Sequence, residues 1–174
     1  PLERNRVGIN FSVDEGEPTK IKAISIVGAE AFSEKELLGL FELRTPGWFT
    51  WFTKTDQYSR QKLTADLEKL RSFYMNRGYL EFSIDSTQVS MSPDKQDMFV
   101  TVNVNEGAQY HVSSVKLAGN FVLPEAELAQ LVRVRAGDLF SREELNETTK
   151  RISDRLGAEG YAFANVNASP ETDK

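Results

Sequence analysis

The chain contains no cysteine and a single histidine, His111. The lack of thiols excludes disulfide bonds and thiolate-bound zinc or iron–sulfur sites. A lone histidine has no second imidazole with which to share a metal, and it lacks the base-and-orienter partnership that nucleophilic catalysis needs. No apolar run approaches the roughly 18 residues that cross a membrane as a helix. We therefore expect no catalytic residue, no metal site, no cofactor and no enzyme activity.

The chain also lacks the signatures of nucleotide and nucleic-acid binding. Gly28 and Gly119 are isolated, so no glycine-rich phosphate loop is present. The net charge of −5 and pI near 5.1 disfavour nucleic acid as the main partner. A KH-type RNA-binding module needs a GXXG loop between its helices, and neither 44–48 nor 135–138 supplies one.

What the chain does have is an internal repeat. Ile24–Arg44 matches Val115–Arg135, 91 positions on, and Tyr58–Leu80 matches Phe140–Ala162, 82 positions on. The offset shrinks because an aromatic insert of the first copy is missing from the second. A third match, FSVDEG against VNVNEG, restores the spacing of 91. Self-similarity of this kind indicates an array of small modules.

Each module has the order β-α-α-β-β. Alternating apolar residues predict an opening strand, which ends at Gly28 in the first copy and runs through Val112, Val115 and Leu117 in the second. Serines cap the predicted helices, and Gly78 and Gly160 end them. The second helix has an apolar stripe made of Leu63, Leu67, Leu70 and Tyr74. The order predicts an α+β fold with two helices on a three-stranded mixed sheet.

The repeat also sets the domain boundaries. We assign residues 17–107 to a complete module and residues 108–174 to a module without its closing strand. Residues 1–16 correspond to the closing strand of a preceding module, so the chain has the pattern of a piece of a longer array. One hypothesis is that residues 5–14 exchange into another molecule, giving a dimer or filament. The alternative is that both chain ends lack ordered structure.

The first candidate site is a sheet edge, because a three-stranded sheet has two edges whose free amides and carbonyls can accept another strand. The strand after the second helix has a polar face and few charges in its second half. Its apolar parity switches after Ser86, which predicts a bulge between Asp85 and Gln88. The candidate partner-binding residues are Ile84, Asp85, Ser86, Thr87, Gln88, Val89, Ser90 and Met91.

The second candidate is the aromatic insert between the two helices, which contains Trp48, Phe49, Trp51 and Phe52. Its aromatic residues either cover the core or brace the adjoining module, or they form a docking loop for a partner, since exposed apolar patches usually mark interfaces.

The repeat order, the -EG- links and a helix that ends in RGY before an alternating strand resemble POTRA domains. Within this pattern the chain carries RNRV (4–7), IVG (26–28), LRSFYMNRGY (70–79), IDSTQVS (84–90), PDK (93–95) and VTVNVNEG (100–107). The resemblance covers essentially the whole chain. It implies the closing strand of a second POTRA domain, a complete third domain and most of a fourth.

The resemblance implies the periplasmic part of an outer-membrane protein that serves as an assembly scaffold. Such domains receive unfolded outer-membrane proteins and hold an accessory lipoprotein and other subunits of the assembly machinery. Carried onto this chain, strand addition falls on Ile84–Met91, with Val89 and Met91 as apolar contacts. The short links at 16–18 and 107–108 predict limited reorientation between modules. A related Omp85-family transporter or a two-partner secretion pore is the alternative.

Overall fold

The computed structural model describes residues 8–13, 19–45 and 58–172. Their elements follow the predicted order. They are β1 Lys20–Val27, α1 Glu34–Gly39, α2 Arg60–Met75, β2 Ser83–Met91, β3 Asp97–Asn105, α3 Glu125–Leu131 and α4 Arg142–Ala158. None of these helices is long and apolar enough to span a membrane.

The first unit contains the predicted three-stranded mixed sheet. Its strand order is β1-β3-β2, with β3 parallel to β1 and antiparallel to β2. The parallel pair follows from the order of elements. The two helices return the chain as β2, which runs opposite to β1, and the β2–β3 hairpin then reverses it, so β3 runs in the direction of β1. The predicted α+β class is confirmed.

The core of the first unit lies between the sheet and α2. Along β3 the even-numbered residues are buried, and the predicted stripe of α2 faces them, with Leu67 only partly buried. The second unit has a smaller core of three buried side chains, Leu128, Ile152 and Leu156. The first unit therefore carries most of the buried apolar surface that stabilises the described chain.

The helix ends are set by local sequence, as predicted. Ser33, Ser59 and Ser141 each accept a hydrogen bond from the backbone N–H three residues on, at 3.3–3.4 Å. Gly78 and Gly160 have positive φ angles of 93° and 91°. Each chain then folds back, because the N–H of Tyr79 or Tyr161 reaches the last turn of its helix.

The opening strand predicted for the second unit at Val112–Leu117 is wrong. Only an isolated bridge forms, between His111 and Leu139. In the described part of the first unit, β1 pairs with a single strand, β3, the last strand of its unit. Among the described residues after position 107 no strand takes the position of β3, so the apolar alternation of this segment has no ladder to join.

The two units meet where α2 ends. The backbone carbonyl of Gly78 accepts from the N–H of Tyr110 at 2.8 Å, and the carbonyl of Arg77 accepts from Gln109 Nε2 at 2.9 Å. Asn76 is hydrogen-bonded to Glu143 at the start of α4. Direct hydrogen bonds thus join the two units next to the short link at 107–108. The limited reorientation that we predicted at this link stays a prediction.

Candidate functional site: the open edge of the sheet

Strand β2 forms one edge of the sheet, since β3 is the only strand among the described residues that pairs with it. All eight predicted partner-binding residues, Ile84–Met91, lie on this strand. Ile84 is half-buried and packs against the core, whereas the residues from Asp85 to Met91 are exposed. The described part of the chain therefore leaves this edge uncovered.

A bulge divides the edge at Asp85, at the start of the interval in which we predicted one. Ile84 lies opposite Val104 and Ser86 lies opposite Asn103, so Asp85 is an extra residue. Its carboxylate accepts from Ser83 Oγ at 2.8 Å and projects an exposed negative charge. Bulges and charges of this kind protect sheet edges from unwanted pairing. Regular pairing is thus available only from Ser86 to Met91.

The register identifies which backbone groups face outward. The hairpin closes with a hydrogen bond from the N–H of Ser92 to the carbonyl of Asp97, at 2.9 Å. In an antiparallel ladder, residues alternate between bonding the partner strand and pointing away from it. The N–H and C=O groups of Thr87, Val89 and Met91 therefore point away from β3, toward the open side.

The side chains make this edge amphipathic. Val89 lies opposite Val100, and Met91 lies opposite Met98. Directly opposed residues share a face, so Val89 and Met91 lie on the helix-bearing face of the sheet. Their partners on β3 are buried, yet Val89 is 41% and Met91 is 53% exposed. We call these two side chains the apolar shelf. The polar Gln88 and Ser90, which alternate with them along the strand, lie on the opposite face.

The other edge, β1, is partly occupied. The N–H of Ile26 donates to Glu34 Oε1 at 3.0 Å, and α1 lies against the strand. The carbonyl of Thr19, just before β1, accepts from the N–H of Tyr58 at 3.3 Å. Because these groups already have partners within the unit, β2 is the better acceptor of a foreign strand.

Glu106, an acidic residue of the first unit, has a structural role. Glu106 of the -EG- link accepts from the hydroxyl of Tyr74 at 2.7 Å and from the N–H of Ala31 at 3.1 Å. Burial, followed by the hydrogen bond to this carboxylate, raises the pKa of Tyr74 well above its usual range. The network attaches the link to the core and offers no exposed acid–base pair.

His111 is exposed, at the joint between the units, and no group of three metal-binding side chains occurs within residues 8–13, 19–45 and 58–172. The aromatic insert with Trp48, Phe49, Trp51 and Phe52 lies outside the described residues, so its two alternatives stay predictions. Sequence reasoning missed Asp66, a fully buried carboxylate that accepts from the N–H groups of Glu42 and Leu43.

Comparison with known proteins places these features in context. The POTRA family model, described as "Surface antigen variable number repeat", matches residues 19–107 and 110–174. The outer membrane protein assembly factor BamA of Neisseria meningitidis is 32% identical over 97% of this chain, and that of Buchnera aphidicola is 30% identical over 98%. The chain spans 21% and 28% of those two proteins.

A solved structure shows the same fold. The crystal structure of Haemophilus influenzae BamA POTRA3-5 superposes with a TM-score of 0.80 at 28% sequence identity. The match covers 94% of this chain and 64% of that one. A BamA structure from Haemophilus ducreyi that lacks POTRA domains 1–3 has a TM-score of 0.63 at 16% identity, which bears on the fold alone.

Proposed function

Because this chain belongs to the POTRA family, we propose that it is part of the periplasmic scaffold of an outer-membrane β-barrel assembly machinery. Its similarity to BamA over nearly its whole length supports this role. In this proposal the two units correspond to the third and fourth POTRA domains, and residues 1–16 to the end of the second. The units bind and position other chains and perform no chemical step.

The open edge of β2 carries the proposal. An extended segment of an unfolded outer-membrane protein pairs its backbone with Ser86–Met91. It uses the outward N–H and C=O groups of Thr87, Val89 and Met91, which supply affinity with little dependence on sequence. The bulge at Asp85 stops the pairing from extending toward the joint between the units.

The apolar shelf makes binding depend to a limited extent on the sequence of the client segment. Val89 and Met91 face the same side, two residues apart, and a paired segment places its own alternate side chains beside them. Strands of outer-membrane barrels alternate apolar and polar residues, so they meet this requirement. A uniformly polar segment gains only the backbone contacts.

Such binding is weak because the free energy gained from backbone hydrogen bonds is nearly cancelled by the entropy lost when the client is ordered. Each main-chain hydrogen bond contributes about 0.5–1.5 kcal/mol net. Ordering each residue of an unfolded client costs about 1–2 kcal/mol. Burial of two apolar side chains then decides the balance. Weak capture suits a scaffold that must release its clients toward the membrane.

We further propose that a BamB-like accessory lipoprotein contacts the same half of β2. The apolar shelf is exposed enough to contact a folded partner, and apolar residues at strand edges are favoured interface positions. Client and lipoprotein would then compete for Val89 and Met91. Binding of a BamB-like protein would also favour this assignment over a related transporter or secretion pore.

The proposal is tested by amide chemical-shift mapping with a peptide from an outer-membrane β-strand. We expect the shift changes to cluster on residues 86–91. The variant Val89→Pro removes an outward N–H without breaking the ladder to β3, because proline is tolerated on an edge when its nitrogen faces solvent. It should abolish binding, whereas Val89→Thr should retain backbone pairing. Shift changes scattered over α1 and α2 would contradict the proposed site.

A further inference from the structure

The open edge of β2 can pair with a client strand in either direction. In both parallel and antiparallel pairing, the client bonds the outward N–H and C=O groups of Thr87, Val89 and Met91. Those backbone groups therefore do not select between the two directions. An uneven distribution of charge along the edge does select, because a client segment carries its own charged side chains at fixed places.

The charge of this edge is concentrated at one end. No side chain from Ser86 to Ser92 is charged, whereas Asp85 carries an exposed carboxylate just before that run. The hydroxyl of Ser83 donates a hydrogen bond to this carboxylate at 2.8 Å. Within the described part of the chain, no basic side chain forms an ion pair with it. The negative charge is thus held in place and left open to a basic group of a partner.

The other end of the edge, at the turn between β2 and β3, has charges of both signs. Asp94 and Lys95 are adjacent, exposed and opposite in charge. Asp97 forms an ion pair with Lys22 at 3.6 Å. Lys20, which lies opposite Asp97 on β1, adds one positive charge. The edge is therefore negative where β2 begins and neutral to slightly positive where β2 ends.

The carboxylate of Asp85 also lies on the face that receives a client's polar side chains. Ser83 lies opposite Asn105, on the face of the sheet away from the helices. Asp85 accepts its hydrogen bond from Ser83, so the carboxylate lies on the same face. An amphipathic client with its apolar residues beside the apolar shelf turns its polar residues to this face. Diagonal neighbours on adjacent strands are about 7–8 Å apart, a distance that long side chains such as lysine and arginine span.

We propose that Asp85 sets the direction in which a client strand pairs with β2, by holding a basic residue at one end of the client's polar face. A segment with lysine or arginine at its amino end then pairs parallel to β2. A segment with the basic residue at its carboxyl end pairs antiparallel. This inference rests on the client binding proposed above and adds to it the charge and the direction of the bound segment.

Spin-labelled peptides test the direction. Two amphipathic peptides have blocked termini and a nitroxide at the amino end, and each carries a single charge, a lysine, at the amino end in one and at the carboxyl end in the other. The first should broaden the amide signals of residues 83–86 most strongly, and the second those of residues 91–96. Asp85→Asn keeps an acceptor for Ser83 but removes the charge. It should abolish this difference while shift changes at residues 86–91 remain.

Affinity gives a second measurement. Since exposed ion pairs change Kd by at most about fivefold, Asp85→Asn should weaken binding of both lysine peptides about two- to fivefold. A third peptide, with glutamine in place of lysine, should bind the variant and the wild type equally. Asp94→Asn removes a carboxylate from the opposite end of the edge, so it is the matched control and should weaken none of the three peptides.

Two further conditions separate charge from the shape of the bulge. Asp85→Lys should reverse the directions when glutamate replaces lysine in the two labelled peptides. In about 1 M salt, where the Debye length falls to about 3 Å, the direction should be lost although the glutamine peptide still binds.

The possible failures are distinguishable. If the two lysine peptides broaden both ends of the edge equally, or if their directions survive Asp85→Asn, the role of Asp85 is refuted while client binding at β2 stands. If none of the peptides, the glutamine peptide included, changes the shifts of residues 86–91, both proposals are refuted.

Discussion

Asn76, the residue that ends α2, caps α4 of the next unit. Its Oδ1 accepts from the backbone N–H of Glu143 at 3.0 Å, and its Nδ2 donates to Glu143 Oε2 at 3.1 Å. Ser141 already caps the same helix by accepting from the N–H of Glu144. The first turn of α4 is therefore satisfied partly from its own unit and partly from the unit before it. The start of α4 in the second unit therefore depends on the end of α2 in the first unit.

Removal of this cap should loosen the joint. We expect Asn76→Ala to cost about 1 kcal/mol, the usual value of a lost helix cap. It should also let the two units reorient, because it removes two of the hydrogen bonds that join them and leaves, among the described residues, those made by Gly78, Arg77 and Met75. Residual dipolar couplings measured separately for the two units report this as divergent alignment tensors. Asn146→Ala, exposed on α4, is the matched control. Tensors that stay identical in Asn76→Ala would show that the cap does not fix the angle.

The two helix-ending glycines allow backbone strain to be separated from packing at the joint. Gly78 and Gly160 have nearly the same positive φ, so alanine costs each about 1–2 kcal/mol of left-handed strain. A Cβ on Gly160 meets nothing within 4 Å, whereas one on Gly78 falls 2.7 Å from Gln109 Cγ and 3.1 Å from the Tyr110 carbonyl oxygen. Gly78→Ala should therefore lower the free energy of unfolding more than Gly160→Ala. If urea titrations gave the same loss of unfolding free energy for both variants, the joint would accommodate the added methyl group without an energetic penalty.

Much of this fold could be predicted because its signals are local. Serine caps, terminal glycines and the stripe of α2 each depend on residues within one or two turns. Most of these signals also occur at the equivalent position of the second repeat, which gives each prediction independent support. The edge position of Ile84–Met91 was predicted from the polar face of the strand and its few charges, and the strand order β1-β3-β2 places it at an edge, although partner binding there remains a prediction.

The features that sequence could not supply depend on distant partners. Val112–Leu117 alternates like a strand, but within the described residues its backbone bonding is confined to Val112, which pairs with Gly137 and Asp138, so no ladder forms and the pattern alone was misleading. Asp66 reads as a solvated helix charge, yet it is buried because it accepts from backbone 23 and 24 residues away. Only the packing of α2 against the chain that follows α1 brings those groups together.

Asp66 has a counterpart in the second unit, and the pair makes a graded test. Thr148, 82 positions on, accepts from the N–H of Arg133 at 3.2 Å, as Asp66 accepts from Glu42 and Leu43. Asp66→Ala leaves two backbone N–H groups without an acceptor and should lower the free energy of unfolding by about 3 kcal/mol. Thr148→Val leaves one partly exposed N–H group without an acceptor and should lower it by about 1 kcal/mol. Amide hydrogen exchange at Leu43 and Arg133 measures each loss locally.

The matched control for this pair is Glu68→Ala. Glu68 is exposed on α2, and its ion pair with Arg71 at 3.7 Å contributes well under about 1 kcal/mol. Exchange rates at Leu43 should not change in this variant. If Asp66→Ala and Glu68→Ala accelerated exchange equally, the buried carboxylate would not be holding the chain after α1.

The hydrogen bond from Tyr74 to Glu106 predicts a pH dependence of stability. Burial and the carboxylate raise the pKa of Tyr74 in the folded state, whereas a tyrosine in an unfolded chain ionises near pH 10. The phenol thus stabilises the fold fully below about pH 10, and this contribution is lost as the pH rises further, because only the unfolded state then releases the proton.

The variant Tyr74→Phe tests this dependence. It should lower the free energy of unfolding by about 1 kcal/mol at neutral pH, because the hydrogen bond is lost. It should also flatten the alkaline fall of the unfolding free energy, so that the two profiles converge above pH 10. Glu106→Gln keeps an acceptor but removes the charge, and its profile should fall between them. A constant difference between wild type and Tyr74→Phe from neutral to alkaline pH would show that the phenol ionises alike in both states.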